Sequence, residues 1–304
     1  MRRRQRSRKL QFTRAAQWQP ARNLRGDVSR SSQTCPPNRA RRADTIFHSR
    51  EFLLSTPLRI PIIAPMLSDI RSVHFVGICG TAMASAAAAM QERGFKVTGS
   101  DTNVYPPMST FLAERKVEVF AGYDERNLTH RPDLVVIGNA MSRGNPEVEA
   151  VLDRKLRYCS LPELLKEFFI RGKRSLVISG THGKTTTTSL LTWVFECAGL
   201  NPSYLIGGIP TNLGQGARFT DSEWFIIEGD EYDTAFFDKR SKFVHYLPEV
   251  AIINNLELDH ADIFADVAAV QKSFSHFVRL VPRNGLLLGN GDDPNLAPLM
   301  DVTH

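Results

Sequence analysis

From residue 71 onward, short apolar runs alternate with helical stretches, and this alternation constrains the fold more than any other feature of the sequence. The runs SVHFVG, FKVTGSD and DLVVIGNA are predicted strands, and an alanine-rich helix that ends at Gly94 follows the first of them. Past residue 172, the runs SLVIS, SEWFIIEGD, EVAIINN and GLLLGN repeat the pattern. Strands that alternate with helices predict parallel sheets covered by helices, so we expect an α/β fold.

The chain divides into two predicted units near the stretch FFIRGKR, where the composition changes. We place the first unit at 67–170 and the second at 171–304, each of ordinary domain size, after an extension at 1–66. The final stretch, GDDPNLAPLMDVTH, stops where another helix of the second sheet should begin. We therefore expect the second unit to be incomplete as given.

The basic charge of the chain is concentrated at its start. Residues 1–50 hold 14 Lys and Arg against 2 acidic residues, a formal +12, so the chain total of +6 leaves −6 for residues 51–304. This start is rich in arginine and serine and poor in aliphatic residues, which predicts disorder. It fits a nucleic-acid-binding arm, an organelle transit peptide or, the interpretation we favour, a non-native extension ahead of a start at Met66.

The cysteines and the apolar runs of the sequence indicate the cellular compartment of the protein. The four cysteines, Cys35, Cys79, Cys159 and Cys197, are scattered and have no spacing typical of a zinc or redox site. No apolar run approaches the ~20 residues that a membrane helix needs. These features predict a soluble body in a reducing, cytoplasmic compartment.

The stretch SGTHGKTTTT, residues 179–188, follows a predicted strand and combines glycines with a lysine and hydroxyl residues. Gly180 and Gly183 leave the loop free of Cβ atoms, so its backbone amides can face a phosphate. Lys184 is placed for the β- and γ-phosphates of a nucleotide and Thr185 for Mg²⁺. The standard pattern has a further glycine where this chain has Ile178, which indicates a shorter phosphate loop. The alternative is a polar helix start.

Two acidic clusters follow later strands of the same unit. FIIEGDEYD places Glu228 at a strand end, and INNLELDHAD places His260 among carboxylates after the next strand. Either cluster alone could be a solvated loop. Because ligands of parallel sheets bind at the carboxyl ends of the strands, and the phosphate loop occupies the same end, we interpret both clusters as parts of the nucleotide site. Glu228 is then a Mg²⁺ ligand, and His260 a metal ligand or an acid/base group.

The first unit carries a weaker nucleotide signature. Gly77 and Gly80, in HFVGICGTAM, lie between a strand and a helix, where a helix N-terminus can approach a diphosphate. Asp101 ends the second strand, a position from which an acid commonly binds a ribose hydroxyl. The alternatives are tight-turn packing for the glycines and a helix cap for the aspartate. The three residues together favour a nucleotide site.

In their order and spacing, GTHGKTTT, EGDEYD and NNLELDHAD resemble the Mur ligase family of ATP-dependent amide-forming enzymes. The stretch from HFVGICGTAM to VTGSDTNVYPPMSTFL resembles its UDP-sugar-binding domain, so the resemblance runs from about residue 71 to 304. It implies a Rossmann-like UDP-binding domain followed by a phosphate-loop ATPase-type central domain. It also implies a carboxy-terminal ligase domain, for which we find no counterpart, so we expect little or no ligation by this chain.

The resemblance further implies the reaction. ATP, with Mg²⁺, would phosphorylate the lactyl carboxylate of UDP-N-acetylmuramate, and an amine would attack the acyl phosphate. YPPMST, GNAMSRGNPEVEAVL and DEYDTAFFDKRSKFVHY most resemble members that use the tripeptide L-alanyl-γ-D-glutamyl-meso-diaminopimelate in peptidoglycan recycling. L-alanine as the acceptor, or a non-catalytic nucleotide-binding fragment, remain alternatives. The implied partners are small molecules, without nucleic acid or membrane.

Site residues are carried over by motif. The resemblance implies catalytic roles for Lys184, Glu228 and His260. It also implies one Mg²⁺ held by Thr185 and Glu228 and a second Mg²⁺ bound by His260. The implied ATP site consists of Gly180, Thr181, His182, Gly183, Lys184, Thr185 and Thr186. The implied UDP-sugar contacts are Gly77, Gly80, Asp101 and Ser142.

Overall fold

The computed structural model describes residues 69–259 and 264–300, which belong to one compact unit, Ala43–His304. The predicted basic extension at 1–66 and the predicted metal ligand His260 lie outside the described residues. Two open sheets with helices around them form the structure, so the predicted α/β fold is confirmed. Within the described ranges, no helix combines the length and apolar character needed to cross a membrane.

The first sheet is entirely parallel and has five strands in the order β3-β2-β1-β4-β5. Its strands are β1 Ser72–Val76, β2 Lys96–Asp101, β3 Glu118–Ala121, β4 Leu134–Ile137 and β5 Tyr158–Ser160. The helices of this part are α1 Thr81–Glu92, α2 Met108–Glu114, α3 Pro146–Asp153 and α4 Leu161–Leu165, with a 3₁₀ turn at Glu125–Leu128 and a π-helical turn at Lys166–Ile170. The central strands β1 and β4 are buried on both faces, as parallel strands between helices must be.

The second sheet has six strands in the order β13-β12-β6-β9-β7-β8, parallel except for the β7–β8 pair. Its strands are β6 Arg174–Ser179, β7 Ser203–Leu205, β8 Ala217–Arg218, β9 Trp224–Glu228, β12 Val250–Ile253 and β13 Leu286–Gly289. A separate antiparallel hairpin consists of β10 Asp233–Ala235 and β11 Asp238–Ser241. The helices are α5 Lys184–Cys197, α6 Val267–Val278 and α7 Ala297–Met300, with a 3₁₀ turn at Lys242–His245.

Several helices begin where local side chains satisfy their first amides. Asn145 accepts hydrogen bonds from the amides of the first turn of α3, and Asp266 does the same for α6. Ser160 and Glu163 form a reciprocal capping box at the start of α4. The alanines of α1 are largely buried and let this helix lie close to the first sheet. The starts of α3, α4 and α6 therefore follow from cap residues that the sequence carries.

The predicted long apolar strands are present, and the structure adds short ones that were not predicted. The additions are β3, β5, β7, β8 and the β10–β11 hairpin. The first sheet ends at Ser160 and the second begins at Arg174. The domain limits at 67–170 and 171–304 stay a prediction, because one apolar core cluster contains residues from both sheets.

A buried polar network lies between the first sheet and the start of α3 and centres on Glu147, whose side chain is inaccessible to solvent. The carboxylate accepts hydrogen bonds from the Ser100 hydroxyl at 2.5 Å and the Asn127 amide at 2.6 Å, and His74 Nε2 lies 3.3 Å away. Burial opposes ionisation, but these hydrogen bonds outweigh it and lower the pKa of Glu147. The Ser100 carbonyl accepts the Gly77 amide, so the network supports the predicted UDP turn.

Candidate functional site

The stretch 179–188 forms a tight turn between β6 and α5, and its two glycines are needed for steric reasons. Gly180 has φ of +124°, and a Cβ there would lie 2.9 Å from the Asn255 carbonyl oxygen and 3.0 Å from the Asn254 nitrogen. Gly183 caps α5 in a left-handed conformation, with φ of +78°. Because both contacts of Gly180 are with backbone, they could not be relieved by a side-chain rotation, and only glycine fits.

Residues after β12 hold this turn in place. The amides of Thr181 and His182 donate to the Asn255 backbone and side-chain oxygens, at 3.1 and 2.8 Å. The Asn254 side-chain amide donates to the His182 carbonyl oxygen at 3.2 Å. Two loop amides are thus used to brace the turn. The first amides of α5, which have no intrahelical acceptor, are the ones available to an anion.

Lys184 is the first residue of α5, and it is nearly buried, with 9% of its surface exposed. Its ammonium group donates to the Gly180 carbonyl oxygen at 2.7 Å and contacts the Thr181 carbonyl oxygen at 3.3 Å. It also contacts both carboxylate oxygens of Glu231, at 2.9 and 3.1 Å. Glu231, a buried acid that the sequence analysis did not single out, is therefore the counter-ion of the loop lysine.

The predicted metal ligands Thr185 and Glu228 meet across the turn. The Thr185 hydroxyl donates to Glu228 Oε1 at 2.7 Å, and the Gly207 amide donates to Glu228 Oε2 at 2.7 Å. A hydroxyl beside a carboxylate is a pair of hard oxygen donors, which suits Mg²⁺. Across residues 69–259 and 264–300, no group of three or more His, Cys, Asp or Glu side chains is arranged to hold a metal ion.

The predicted UDP residues gather at the carboxyl edge of the first sheet. Gly77 follows β1 with φ of +85°, and Gly80 is the residue from which α1 begins. Asp101 is buried, and its carboxylate accepts the amides of Cys79 and Asn103, both at 2.9 Å. In the described structure, Asp101 therefore shapes the glycine turn between β1 and α1.

The remaining predicted contacts, Thr186 and Ser142, are exposed. Thr186 lies in the first turn of α5, beside Thr185. Ser142 lies in the loop after β4, and the preceding residue, Met141, approaches the glycine turn: a Cβ on Gly77 would lie 3.3 Å from Met141 Cε. Thr186 thus lies beside the phosphate loop and Ser142 beside the glycine turn, as the sequence predicts. Their roles as ligand contacts stay predictions.

A cavity of about 250 Å³ joins the two edges. The first turn of α1 lines one side, at residues 80–83, and Gly207 and Glu228 line the other. Tyr246 also lines it, and burial, followed by the nearby Asp230 and Glu228 carboxylates, raises the pKa of its hydroxyl far above the ordinary value. A ligand held at the glycine turn of the first sheet could reach the carboxylate of the second through this cavity.

Comparison with known proteins agrees with this arrangement. Residues 72–173 match the family described as Mur ligase family, catalytic domain, and residues 178–303 match the Mur ligase middle domain. A crystal structure of UDP-N-acetylmuramate:L-alanyl-gamma-D-glutamyl-meso-diaminopimelate ligase from Neisseria meningitides is 48% identical, with a TM-score of 0.72 over 76% of this chain and 75% of that one. The chain belongs to the Mur ligase family.

Relatives of this Mur ligase chain differ in the acceptor that their names give. The UDP-N-acetylmuramate–L-alanyl-gamma-D-glutamyl-meso-2,6-diaminoheptandioate ligase of Haemophilus influenzae is 54% identical over 73% of this chain and 49% of its own length. The UDP-N-acetylmuramate–L-alanine ligase of Arthrobacter sp. is 36% identical over 78% of this chain and 49% of its own length. The chain thus spans about half the length of each of these two relatives.

Proposed function

We propose that this Mur ligase chain forms the UDP-sugar-binding and ATP-binding parts of a ligase that joins UDP-N-acetylmuramate to L-alanyl-γ-D-glutamyl-meso-diaminopimelate. The observation that carries the proposal is the cavity lined by Gly80 of the glycine turn of the first sheet and by Glu228 of the second, whose carboxylate accepts the Thr185 hydroxyl. A sugar nucleotide held at the first edge would present its muramyl carboxylate at the second. The unit at 67–170 would bind the UDP-sugar and the unit at 171–304 ATP.

In the proposed reaction, the muramyl carboxylate takes the γ-phosphoryl group of ATP and ADP leaves. The acceptor amine then attacks the carbonyl carbon of the acyl phosphate, which forms the amide and releases inorganic phosphate and a proton. The reacting groups are both anions, so positive charge has to be held between them. Lys184 at the start of α5 would bind the phosphates, together with the free amides of that turn. Thr185 and Glu228 would hold Mg²⁺. The bound metal ion would offset the negative charge of the phosphoryl group.

The turn also positions these groups before any ligand arrives. Asn254 and Asn255 fix the backbone at 180–183, and the Gly207 amide orients the Glu228 carboxylate. Pre-positioned donors need little rearrangement during the reaction, which is the main way that phosphoryl-transfer sites lower the barrier. The proposed role of His260 as a further Mg²⁺ ligand rests on the sequence motif alone.

The tripeptide is proposed as the acceptor, in preference to L-alanine, because of sequence similarity. Identity to the Haemophilus tripeptide ligase is 54%, whereas identity to the Arthrobacter L-alanine ligase is 36% over a similar length. The family match and the intact Lys184, Thr185 and Glu228 also favour an enzyme over a non-catalytic nucleotide-binding fragment. A non-catalytic binder has no need of a hydroxyl and carboxylate arranged for Mg²⁺.

Two fusions test this function. In one, residues 69–300 are followed by the carboxy-terminal half of the Haemophilus tripeptide ligase, and in the other by that of the Arthrobacter L-alanine ligase. We expect UDP-N-acetylmuramate-dependent release of ADP and a tripeptide product from the first fusion only, since its halves come from more similar proteins. Mass spectrometry of the product provides the measurement. An L-alanine product from the second fusion, with an inactive first fusion, would contradict the proposed acceptor.

A further inference from the structure

The cavity between the two sheets is lined by a positively charged side chain that has no role in the reaction proposed above. Among the described residues that line it, Lys242 is the one positively charged side chain, facing the acids Glu228 and Asp230. The rest of the lining is apolar or neutral and includes the first turn of α1 and Asn139. Without Lys242, the lining would carry two negative charges and no positive one. Such a cavity would repel a carboxylate.

The hairpin β10–β11 brings Lys242 to this position. It folds residues 230–243 back on themselves, so that the Lys242 amide donates to the Tyr232 carbonyl oxygen at 3.1 Å. The Lys242 ammonium then lies 3.1 Å from Asp230 Oδ2 and 5.7 Å from the centre of the Tyr232 ring. Lys242 and Asp230 are twelve positions apart along the chain, so their proximity depends on the fold.

The ammonium group of Lys242 retains donors for a ligand. Within the described part of the chain, Asp230 is its one hydrogen-bonding partner, and an ammonium has three protons. The Lys242 side chain is 21% exposed and the Asp230 side chain 29% exposed, so the cation is accessible from the cavity without being fully solvated. Partial desolvation strengthens a charged hydrogen bond relative to one at an open surface.

We propose that Lys242 binds the lactyl carboxylate of UDP-N-acetylmuramate and so distinguishes this donor from UDP-N-acetylglucosamine. The inference rests on the proposed function, because it needs the UDP at the glycine turn of the first sheet. The two sugar nucleotides differ in the lactyl ether. In the proposed binding mode, the carboxylate of that ether extends through the cavity toward Glu228. Lys242 lies on that route and carries the charge that the carboxylate requires.

The test compares two ligands and two variants of the 304-residue chain by titration calorimetry. Lys242→Met removes the proposed contact. Lys239→Met is the matched control, because Lys239 lies on the same hairpin, pairs with Asp233 at 2.7 Å and does not line the cavity. We expect Lys242→Met to weaken UDP-N-acetylmuramate binding about tenfold and to leave UDP-N-acetylglucosamine binding unchanged. Lys239→Met should alter neither.

The outcomes separate this inference from the function on which it rests. An equal loss of affinity for both ligands would mean that Lys242 acts on the diphosphate or on the fold. Unchanged affinity for both ligands would mean that Lys242 does not contact the lactyl carboxylate. Either result would overturn the inference and leave the proposed function in place. If the parent chain binds neither sugar nucleotide, the proposed function and the inference fall together. Lys242→Arg, which keeps the charge, should retain most of the preference for the muramyl ligand.

Discussion

Replacement of Lys184 with methionine is expected to weaken the binding of Mg²⁺–ATP by about 10- to 100-fold. Hydrogen bonds to charged groups contribute about 1.5–3 kcal/mol, and each 1.4 kcal/mol is about a factor of ten in affinity. In the described structure, the Lys184 ammonium is held by the Gly180 carbonyl oxygen and the Glu231 carboxylate. Phosphate oxygens would replace these acceptors or accept from the ammonium group alongside them. A methionine side chain has no proton to donate to a phosphate oxygen.

The same substitution affects stability, and a second variant separates the two effects. Lys184→Met removes the ammonium partner of the Glu231 carboxylate, which is 2% exposed. Breaking a buried ion pair on one side costs about 3–5 kcal/mol, whereas replacing both partners with apolar residues is often close to neutral. The double variant Lys184→Met with Glu231→Met should therefore recover part of the lost thermal stability without recovering ATP binding. Parent-like ATP affinity in the double variant would show that Lys184 does not bind the phosphates.

Glu147→Ala is expected to lower the free energy of unfolding by about 3–5 kcal/mol, since it removes the acceptor at the centre of a buried charged network. Ser100, Asn127 and His74 would each lose the contact with this carboxylate. His74 would keep Thr98, and Asn127 would keep the Gly122 carbonyl oxygen. Chemical denaturation at pH 7 gives the measurement. The control is Glu149→Ala on the same helix, where the acid pairs with Arg143 at the surface, and we expect a much smaller loss.

The effect of Glu147→Ala depends on pH in a defined direction. Hydrogen bonds lower the pKa of Glu147 in the folded chain below its ordinary value of 4.5. The unfolded chain therefore binds the proton more readily, and the stabilisation from Glu147 is complete above about pH 4.5 and is lost as the pH falls through the folded-state pKa. The stability difference between the parent and Glu147→Ala should narrow on acidification below about pH 4.5. A difference that widens toward low pH would contradict this account of the network.

The sequence predicted the central strands and the phosphate loop because each is encoded within a few residues. Strand β6, the glycines and Lys184 follow one another directly, so neighbouring residues alone determine the conformation of the phosphate loop. The edge strands β3 and β8 were missed because they are short and lack a long apolar run. The β10–β11 hairpin was missed because its charged residues do not have the alternation typical of a half-buried strand.

The candidate site was predictable only in its local part. Thr185 and Glu228 could be paired because both follow strands of one parallel sheet, and the structure brings them to 2.7 Å. Glu231 could not be chosen over the other acids of EGDEYD, since its burial against Lys184 depends on how the chain turns after β9. Lys242 carried no local signal, and only the hairpin brings it to the cavity.

We propose that the chain holds two different nucleotide sites, one on each sheet, joined by the cavity. Calorimetric titration of the 304-residue chain with Mg²⁺–ATP and with UDP-N-acetylmuramate, each alone and each in the presence of the other at saturation, tests it most directly. We predict one equivalent of each ligand in either order, with Lys184→Met, Glu231→Met losing only the ATP site. Competition between the two ligands for a single site, or failure of UDP-N-acetylmuramate to bind, would contradict the account.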